Sequence, residues 1–220
     1  MAGEGRRTFE RLEEVLLDEA FPEVDHRLRT GAHISEDEFG AYTFLERARV
    51  LLAPFYERYG CRLIQSPEQY FYLLSTGELL GQRRLSRAEM LVGQMLALLA
   101  MDPATLKTSG RIATPDLISK LELGMGSKSL SEQLAPRRRG TDRDSDARKV
   151  REAIQKALGT LERLGFIRYL RQSEEIVPRR AIHRFADPVR QTGGLEEGLR
   201  RLAATGSVVL VEADEEEADE

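Results

Sequence analysis

The chain has 220 residues, 41% of them hydrophobic and 32% charged, a composition typical of a globular protein with amphipathic helices. This length is enough for one large domain or two small ones. No apolar run approaches the ~20 residues that span a bilayer, the polar N-terminus lacks a signal-peptide core, and the single cysteine, Cys61, excludes an intramolecular disulfide. We therefore expect a cytoplasmic protein that does not enter a membrane.

The net charge of −4 is unevenly distributed along the chain. Seven acids lie within residues 212–220, and removing these seven negative charges from −4 leaves +3. A block of like charges repels itself, so we expect residues 207–220 to form a disordered acidic tail. A solvated tail is the interpretation we favour, and an internal mimic of DNA is the alternative.

The first half opens with a predicted amphipathic helix whose apolar stripe holds Phe9, Leu12, Leu16 and Leu17. Pro22 and Gly31 then interrupt the chain. Ser35, with Glu38 three residues later, has the signature of a capping box, which predicts the N-cap of a second helix.

This second helix should reach about Tyr59, and Pro54 within it predicts a kink or a break. Its inner face is predicted to contain Phe44, Leu45, Ala48, Leu51, Leu52, Phe55 and Tyr59. Two apolar runs, 61–65 and 69–74, surround a Ser66-Pro67 turn and predict a β-hairpin.

The second half starts with a predicted buried helix, 85–101, with Ser86 as N-cap, Glu89 completing a capping box, and Asp102-Pro103 at its end. Thr114 should cap a short helix that ends at the glycines of 124–126. Residues 127–145 are polar and indicate a mobile loop. The apolar excess of 85–101 and of the aromatics 70–72 suggests that part of this surface is an interface, and the alternative is that all of it is core.

A third helix is predicted over 146–164, with Gly165 following it. Its buried stripe should contain Val150, Ile154, Leu158, Leu161 and Leu164. A second hairpin follows over 166–177 with its turn at Ser173-Glu174. Residues 179–190 are predicted to be extended, and a last helix, 195–204, follows Gly193-Gly194.

This order of elements predicts a fold that is mainly α with small β-hairpins, arranged as tandem winged-helix domains. The expected divisions are an N-terminal winged-helix domain at 1–80, a C-terminal one at 81–192, a C-terminal helix at 193–206 and the acidic tail at 207–220.

The sequence offers no constellation for catalysis, for a metal or for a cofactor. The three histidines lack metal-binding spacing, and there is no phosphate-binding loop or nucleophile elbow. His33, just before Ser35, is interpreted as a turn or capping residue rather than a proton shuttle, and Cys61 as a small core residue. We therefore expect no enzymatic activity.

A basic stretch is the informative feature. Residues 137–171 contain eleven Arg and Lys and five acids. Arginine and lysine without base-reading Asn favour sequence-independent binding of DNA phosphates, while a solvated helix face with pairs such as Arg148–Glu152 is the alternative. The candidate DNA-binding residues are Arg137, Arg138, Arg139, Arg143, Arg148, Lys149, Arg151, Lys156 and Arg163.

Several short motifs, taken in order, resemble the MukE family over most of the chain. The longest is Phe21-Pro22-x-x-Asp25-x-x-Leu28-Arg29-x-Gly31-x-His33-Ile34, and others include Phe55-Tyr56-x-Arg58-Tyr59, Leu161-x-Arg163-Leu164-Gly165 and Arg184-Phe185. Residues 124–140 match little. The MksE group is a close relative of this family.

The resemblance implies a dimeric protein that binds the kleisin MukF, which bridges the heads of the SMC ATPase MukB. That complex compacts and segregates the bacterial chromosome, contacts double-stranded DNA and leaves ATP hydrolysis to MukB. It implies a nucleoid-associated location. The alternative from the residues alone is a free-standing winged-helix transcription regulator, which would need base-reading side chains; the third helix offers Arg and one Gln, Gln155.

Overall fold

The computed structural model describes residues 8–77, 79–81, 83–103, 105, 109–134 and 143–185, with only the backbone at 143–145. The N-terminal half is defined here as residues 8–81 and the C-terminal half as residues 83–185. The elements of the N-terminal half are α1 Leu12–Leu16, α2 Phe21–Arg29, β1 Ile34–Ser35, α3 Phe39–Glu57, β2 Cys61–Ser66 and β3 Tyr70–Ser75.

The described elements of the C-terminal half follow the same general order, from helices to a hairpin. They are α4 Arg87–Met101, β4 Ile112–Ala113, α5 Thr114–Met125, α6 Ser127–Leu134, α7 Arg143–Arg163, β5 Ile167–Leu170, β6 Glu175–Pro178 and a 3₁₀ helix at Arg180–Phe185. The prediction of a mainly helical chain with small β-hairpins is confirmed.

Each half contains an antiparallel three-stranded sheet with the same arrangement. In both, a two-residue strand pairs with the last strand of the following hairpin, giving the orders β1-β3-β2 and β4-β6-β5. Ile34 pairs with Phe71 in the first sheet, and Ile112 pairs with Ile176 in the second. Both predicted hairpins are confirmed, and the sequence missed the two short strands, which carry too few residues to show an alternating pattern.

Each half has its own hydrophobic core. The N-terminal core is built around α3, whose Leu45, Leu52 and Tyr56 are fully buried. The C-terminal core surrounds α4, where the nine residues 91–99 are all buried. Residues 91–99 are therefore core, whereas Met101 at the end of α4 is 37% exposed, and the suggested interface stays a prediction. Tyr70 of β3 belongs to this second core.

The capping box that opens α4 is confirmed. Glu89 N–H donates to Ser86 Oγ at 3.3 Å, and Ser86 N–H donates to Glu89 Oε2 at 2.7 Å. These two bonds satisfy backbone donors that have no partner within the helix. Burial by itself raises the pKa of Glu89, but hydrogen bonds with Ser86 and Thr160 and the positive charge of Arg83 together leave that pKa lowered.

The same signature at Ser35–Glu38 gave a wrong prediction. Ser35 is a buried strand residue opposite Tyr70, and α3 starts four residues later, at Phe39, without a side-chain cap. The helix also continues through Pro54 instead of breaking there. It ends at Glu57, so Tyr59 lies beyond it and is 36% exposed.

The prediction missed α2 because Pro22 was interpreted as an interruption. Pro22 is instead near the N-terminus of the helix, where its missing N–H costs nothing. The first helix is shorter than predicted: Phe9 precedes it, and Leu17, assigned to its apolar stripe, is 85% exposed.

Three assignments in the C-terminal half are also corrected. Thr114 is the first residue of α5 rather than its cap, and its Oγ1 donates to the carbonyl of Glu174 at 2.8 Å. Part of the predicted loop 127–145 is helical, in α6 and the start of α7. Residues 180–185 form a 3₁₀ helix rather than extended chain. The predicted helix 195–204 and the acidic tail lie outside the described residues.

Candidate nucleic-acid interface

Helix α7 presents the predicted DNA-binding residues on the side opposite its core stripe. The predicted stripe is confirmed: Val150, Ile154, Leu158, Leu161 and Leu164 are all buried. Because a helix turns by 100° per residue, the residues between these positions point outward. The exposed predicted residues are Arg148, Arg151, Lys156 and Arg163. Lys149 is half-buried.

The cations of this outer face are only partly neutralised. Arg148 Nε lies 3.5 Å from Glu152 Oε1, in a pair whose side chains are 76% and 64% exposed. Such an exposed pair contributes at most about 1 kcal/mol and exchanges readily with solvent. Arg151 and Lys156 form no ion pair within the described residues. The outer face of α7 therefore keeps positive charge available for an anionic partner.

Gly159 lies on the same side of α7 as Lys156 and Arg163. A Cβ at this position would have no heavy atom within 4 Å, so the surface above the glycine is open. A glycine inside a helix costs about 1 kcal/mol relative to alanine. The open position lets a bulky partner approach the helix backbone between two cationic side chains.

The hairpin that follows α7 extends this surface. Arg168 of β5 is exposed, and Arg171 beyond it lies 3.4 Å from Glu162 of α7, with 72% of the arginine side chain exposed. Glu162 also accepts a hydrogen bond from the backbone N–H of Tyr169 at 3.0 Å, which fixes the hairpin against the helix. Helix and hairpin thus form one continuous surface with a positive net charge.

The remaining predicted DNA-binding residues have no described side chains. Arg137, Arg138 and Arg139 lie outside the described residues, and for Arg143 only the backbone is described. The structure therefore groups five of the nine predicted side chains on one helix.

Sequence patterns did not reveal that His33 joins the two halves. Its backbone N–H donates to the carbonyl of Leu164 at 2.8 Å, and Nδ1 of its ring lies 3.0 Å from the same oxygen. Nε2 lies 2.6 Å from Nη1 of Arg184. The ring packs against Phe166, with 4.3 Å between centroids, and stacks on Tyr72 at 5.5 Å.

The hydrogen-bond partners of His33 fix its tautomer. A carbonyl oxygen only accepts and a guanidinium only donates, so Nδ1 carries the proton and Nε2 accepts from Arg184. Burial, reinforced by the positive charge of Arg184, lowers the pKa of His33 from 6.5 to about 3. The imidazole is therefore neutral at physiological pH and serves as a structural link.

Ion pairs from the segment after β6 reinforce this junction. Arg179 contacts Glu38 at 2.8 Å and Asp37 at 3.3 Å, and the next residue, Arg180, contacts Glu36 at 2.7 Å. The 2.8 Å contact is close enough for an ion pair, although Glu38 Oε1 lacks the angles of a hydrogen bond. More than 140 residues separate the arginines from these acids, so no local motif could have revealed the pairing.

Within the described part of the chain, no group of three or more His, Cys, Asp or Glu side chains is placed to hold a metal ion. Cys61 is buried, as the sequence indicated. No described helix is both long enough and apolar enough to cross a membrane.

Comparison with known proteins gives a consistent result. The family model described as MukE-like matches residues 9–220. A chromosome partition protein MukE of Vibrio vulnificus strain YJ016 is 31% identical over 220 aligned residues, which cover 96% of this chain and 94% of that protein. The chromosome partition protein MukE of Escherichia coli O157:H7 is 31% identical over 204 residues, covering 92% and 90%.

Proposed function

Because the chain belongs to the MukE-like family, we propose that it is a chromosome-partition subunit of a condensin-like complex, where it binds the kleisin MukF and contacts DNA. The relatives that are similar over nearly their whole length are named chromosome partition proteins, which supports this role. The feature of the molecule that carries the DNA contact is the cationic outer face of α7 beside the hairpin β5–β6.

We further propose that the two halves are winged-helix domains, divided as 1–80 and 81–192. The two sheets have the same strand order, which supports this assignment. In each sheet a short strand pairs with the last strand of the hairpin that ends the domain. In this assignment α7 is the helix directly before the hairpin of the second domain, the position of the helix that winged-helix proteins place against DNA. Tyr70, which packs into the second core, binds the domains tightly together.

The proposed contact with DNA is independent of sequence. The outer face of α7 offers guanidinium and ammonium groups with a single amide, Gln155, so it lacks a set of Asn and Gln side chains that read adenine, and guanine is the base that its arginines could read. Cations on a helix bind phosphates of any sequence through charge and the release of counterions.

The proposed partners are a second copy of the chain, the kleisin MukF, and through it the ATPase MukB. In this proposal MukB hydrolyses ATP and this chain does not. The complex is located in the cytoplasm, on the nucleoid. Large apolar side chains that face solvent support protein contacts, among them Phe39, Val50 and Leu123, which are 78%, 75% and 82% exposed.

Sedimentation of the full chain with and without MukF from the same organism tests this assignment. We expect a dimer at micromolar concentration and a heavier stable complex when MukF is added. ATP should not be hydrolysed by either sample in the absence of MukB. A monomer that leaves MukF unbound would contradict the proposal, as would ATP turnover that disappears when a residue of this chain is changed.

A further inference from the structure

A cleft of about 500 Å³ lies between the two halves, close to the His33 junction. Much of its lining is apolar, contributed by Leu28 and Leu73 of the N-terminal half, by Leu85 just before α4 and by Met90 in the first turn of α4. Leu80 completes this wall. The cleft is large enough for a few side chains of an extended peptide.

The charges around the cleft have one sign. Arg29, Arg83, Arg84 and Arg184 all line it, and no Asp or Glu is among its described lining residues. Arg29 is already paired with Asp25 at 2.7 Å. Arg184 instead faces the neutral His33 and lies 4.2 Å above the ring of Tyr72.

Arg83 and Arg84 are exposed and have no ion pair with any described side chain. Arg83 is close enough to Glu89 for its charge to lower the pKa of that carboxyl, so Arg84 and Arg184 are the guanidinium groups at the cleft without a carboxylate partner in the part of the chain that the structure describes. An occupant that fits must combine aliphatic side chains with several carboxylates.

We propose that this cleft binds the chain's own C-terminal segment, residues 207–220, and so forms an internal docking site. The segment begins with the aliphatic run Val208-Val209-Leu210-Val211 and continues with seven acids in the nine residues 212–220. The aliphatic run fits the apolar wall, and the acids complement the positive charge of Arg83, Arg84 and Arg184.

The length of the connecting chain permits this contact. The last described residue, Phe185, itself lines the cleft, and 22 residues lead from it to Ser207. With the predicted helix 195–204 rising about 1.5 Å per residue and the other residues extended at about 3.3 Å each, this connection can span up to ~55 Å. A compact 100-residue unit has a radius of gyration of about 13 Å, so the segment can return to the cleft along several paths.

A spin-label experiment on the full chain tests the proposal. The buried Cys61 is replaced by Ala, Gly206→Cys carries a nitroxide, and the methionine methyl groups are labelled with ¹³C. Met90 lines the cleft and is the reporter. We expect the oxidised nitroxide to reduce the Met90 signal at least two-fold relative to the reduced form.

Charge reversal identifies the surface that holds the segment. The pair Arg83→Glu and Arg84→Glu should restore the Met90 signal, because these exposed arginines attract the acids. The matched pair Arg148→Glu and Arg151→Glu changes the net charge equally on the outer face of α7 and should leave the signal reduced. Circular dichroism of each variant checks that the fold is retained.

Three results would overturn the proposal. An unchanged Met90 signal in the parent protein would show that the segment does not reach the cleft. Recovery with the α7 pair but not with the cleft pair would place the acids on α7 instead. Reduction of Met90 in a mixture, where nitroxide and ¹³C label are on different chains, would assign the occupant to a second copy.

Discussion

His33 donates its Nδ1–H to the carbonyl oxygen of Leu164 at 3.0 Å, across 131 residues of sequence. The backbone N–H of His33 donates to the same oxygen, and Gly165 packs directly on the carbonyl of His33. This contact fixes the end of α7, the proposed DNA-binding helix, against the residue that precedes β1 in the other half. The orientation of the cationic surface therefore depends on a neutral histidine.

We predict that His33 makes the stability of the protein depend on pH. Its pKa is about 3 in the folded chain, because of burial and of Arg184, and near 6.5 in the unfolded chain. Below pH 6.5 the unfolded chain binds the proton more strongly, so the free energy of unfolding falls as pH decreases from 6.5 towards 3. Between pH 8 and pH 5 this loss should be about 2 kcal/mol.

Urea unfolding at several pH values measures this dependence. His33→Asn retains a donor but no titratable group, and should lack this part of the pH dependence. The matched change at an exposed histidine, His26→Asn, should leave it intact. Equal pH dependence in wild type and His33→Asn would show that His33 does not control stability in this range.

Gly165→Ala should destabilise the protein far more than a comparable glycine substitution. Gly165 has a φ of +76°, and a Cβ there would overlap the carbonyl oxygen of His33. Gly110 has a similar φ of +71°, but its Cβ would meet nothing within 4 Å. Gly110→Ala should therefore cost only the left-handed backbone penalty, about 1–2 kcal/mol.

Thermal and urea unfolding of the two glycine variants provide the comparison. We expect Gly165→Ala to lose about 3 kcal/mol or more, because steric overlap adds to the backbone strain. Similar losses for both variants would mean that the junction yields easily and that the close packing on His33 is not required.

Arg179→Ala should weaken the junction more than Arg180→Ala. Arg179 is 17% exposed and contacts both Asp37 and Glu38, and its removal leaves the equally shielded Glu38 with less positive charge nearby. We expect a loss of about 2 kcal/mol, between the values for exposed and for buried pairs. Arg180 and Glu36 are 56% and 43% exposed, so that pair should contribute less than about 1 kcal/mol. Chemical unfolding near pH 7 decides between these values, and a larger loss for Arg180→Ala would contradict the assignment.

Sequence patterns predicted the elements whose determinants are local. The Ser86–Glu89 capping box and the buried stripe of α7 depend on residues within a few positions of one another. The identical spacing at Ser35–Glu38 failed because the pairing of Ser35 with Tyr70, 35 residues away, holds this serine in a strand. Helix α6 was missed because its polar sequence buries only Leu130 against the rest of the chain.

For the candidate site, the sequence identified the cations of α7 but not what holds them in place. Their exposure follows from the helical period, which can be counted along the chain. The junction of His33 with Leu164 and Arg184 requires contacts across 131 and 151 residues, which no single-sequence pattern contains. The same holds for the cleft, whose arginines come from separate segments.

The most direct test of the proposed DNA contact is a fluorescence titration of duplex DNA at two salt concentrations. The variant Arg148→Glu/Arg151→Glu/Lys156→Glu reverses three exposed charges of α7, and Arg49→Glu/Arg58→Glu/Arg62→Glu reverses three exposed charges in the N-terminal half. Random and AT-rich duplexes should bind wild type with equal, weak and salt-sensitive affinity.

The α7 variant should bind both duplexes more weakly. Its slope of log affinity against log salt concentration should be smaller by about 0.9 for each phosphate that it no longer neutralises, while the control variant retains the wild-type slope. Wild-type affinity and slope in the α7 variant would contradict the proposed DNA contact, and strong preference for one duplex would favour a transcription regulator.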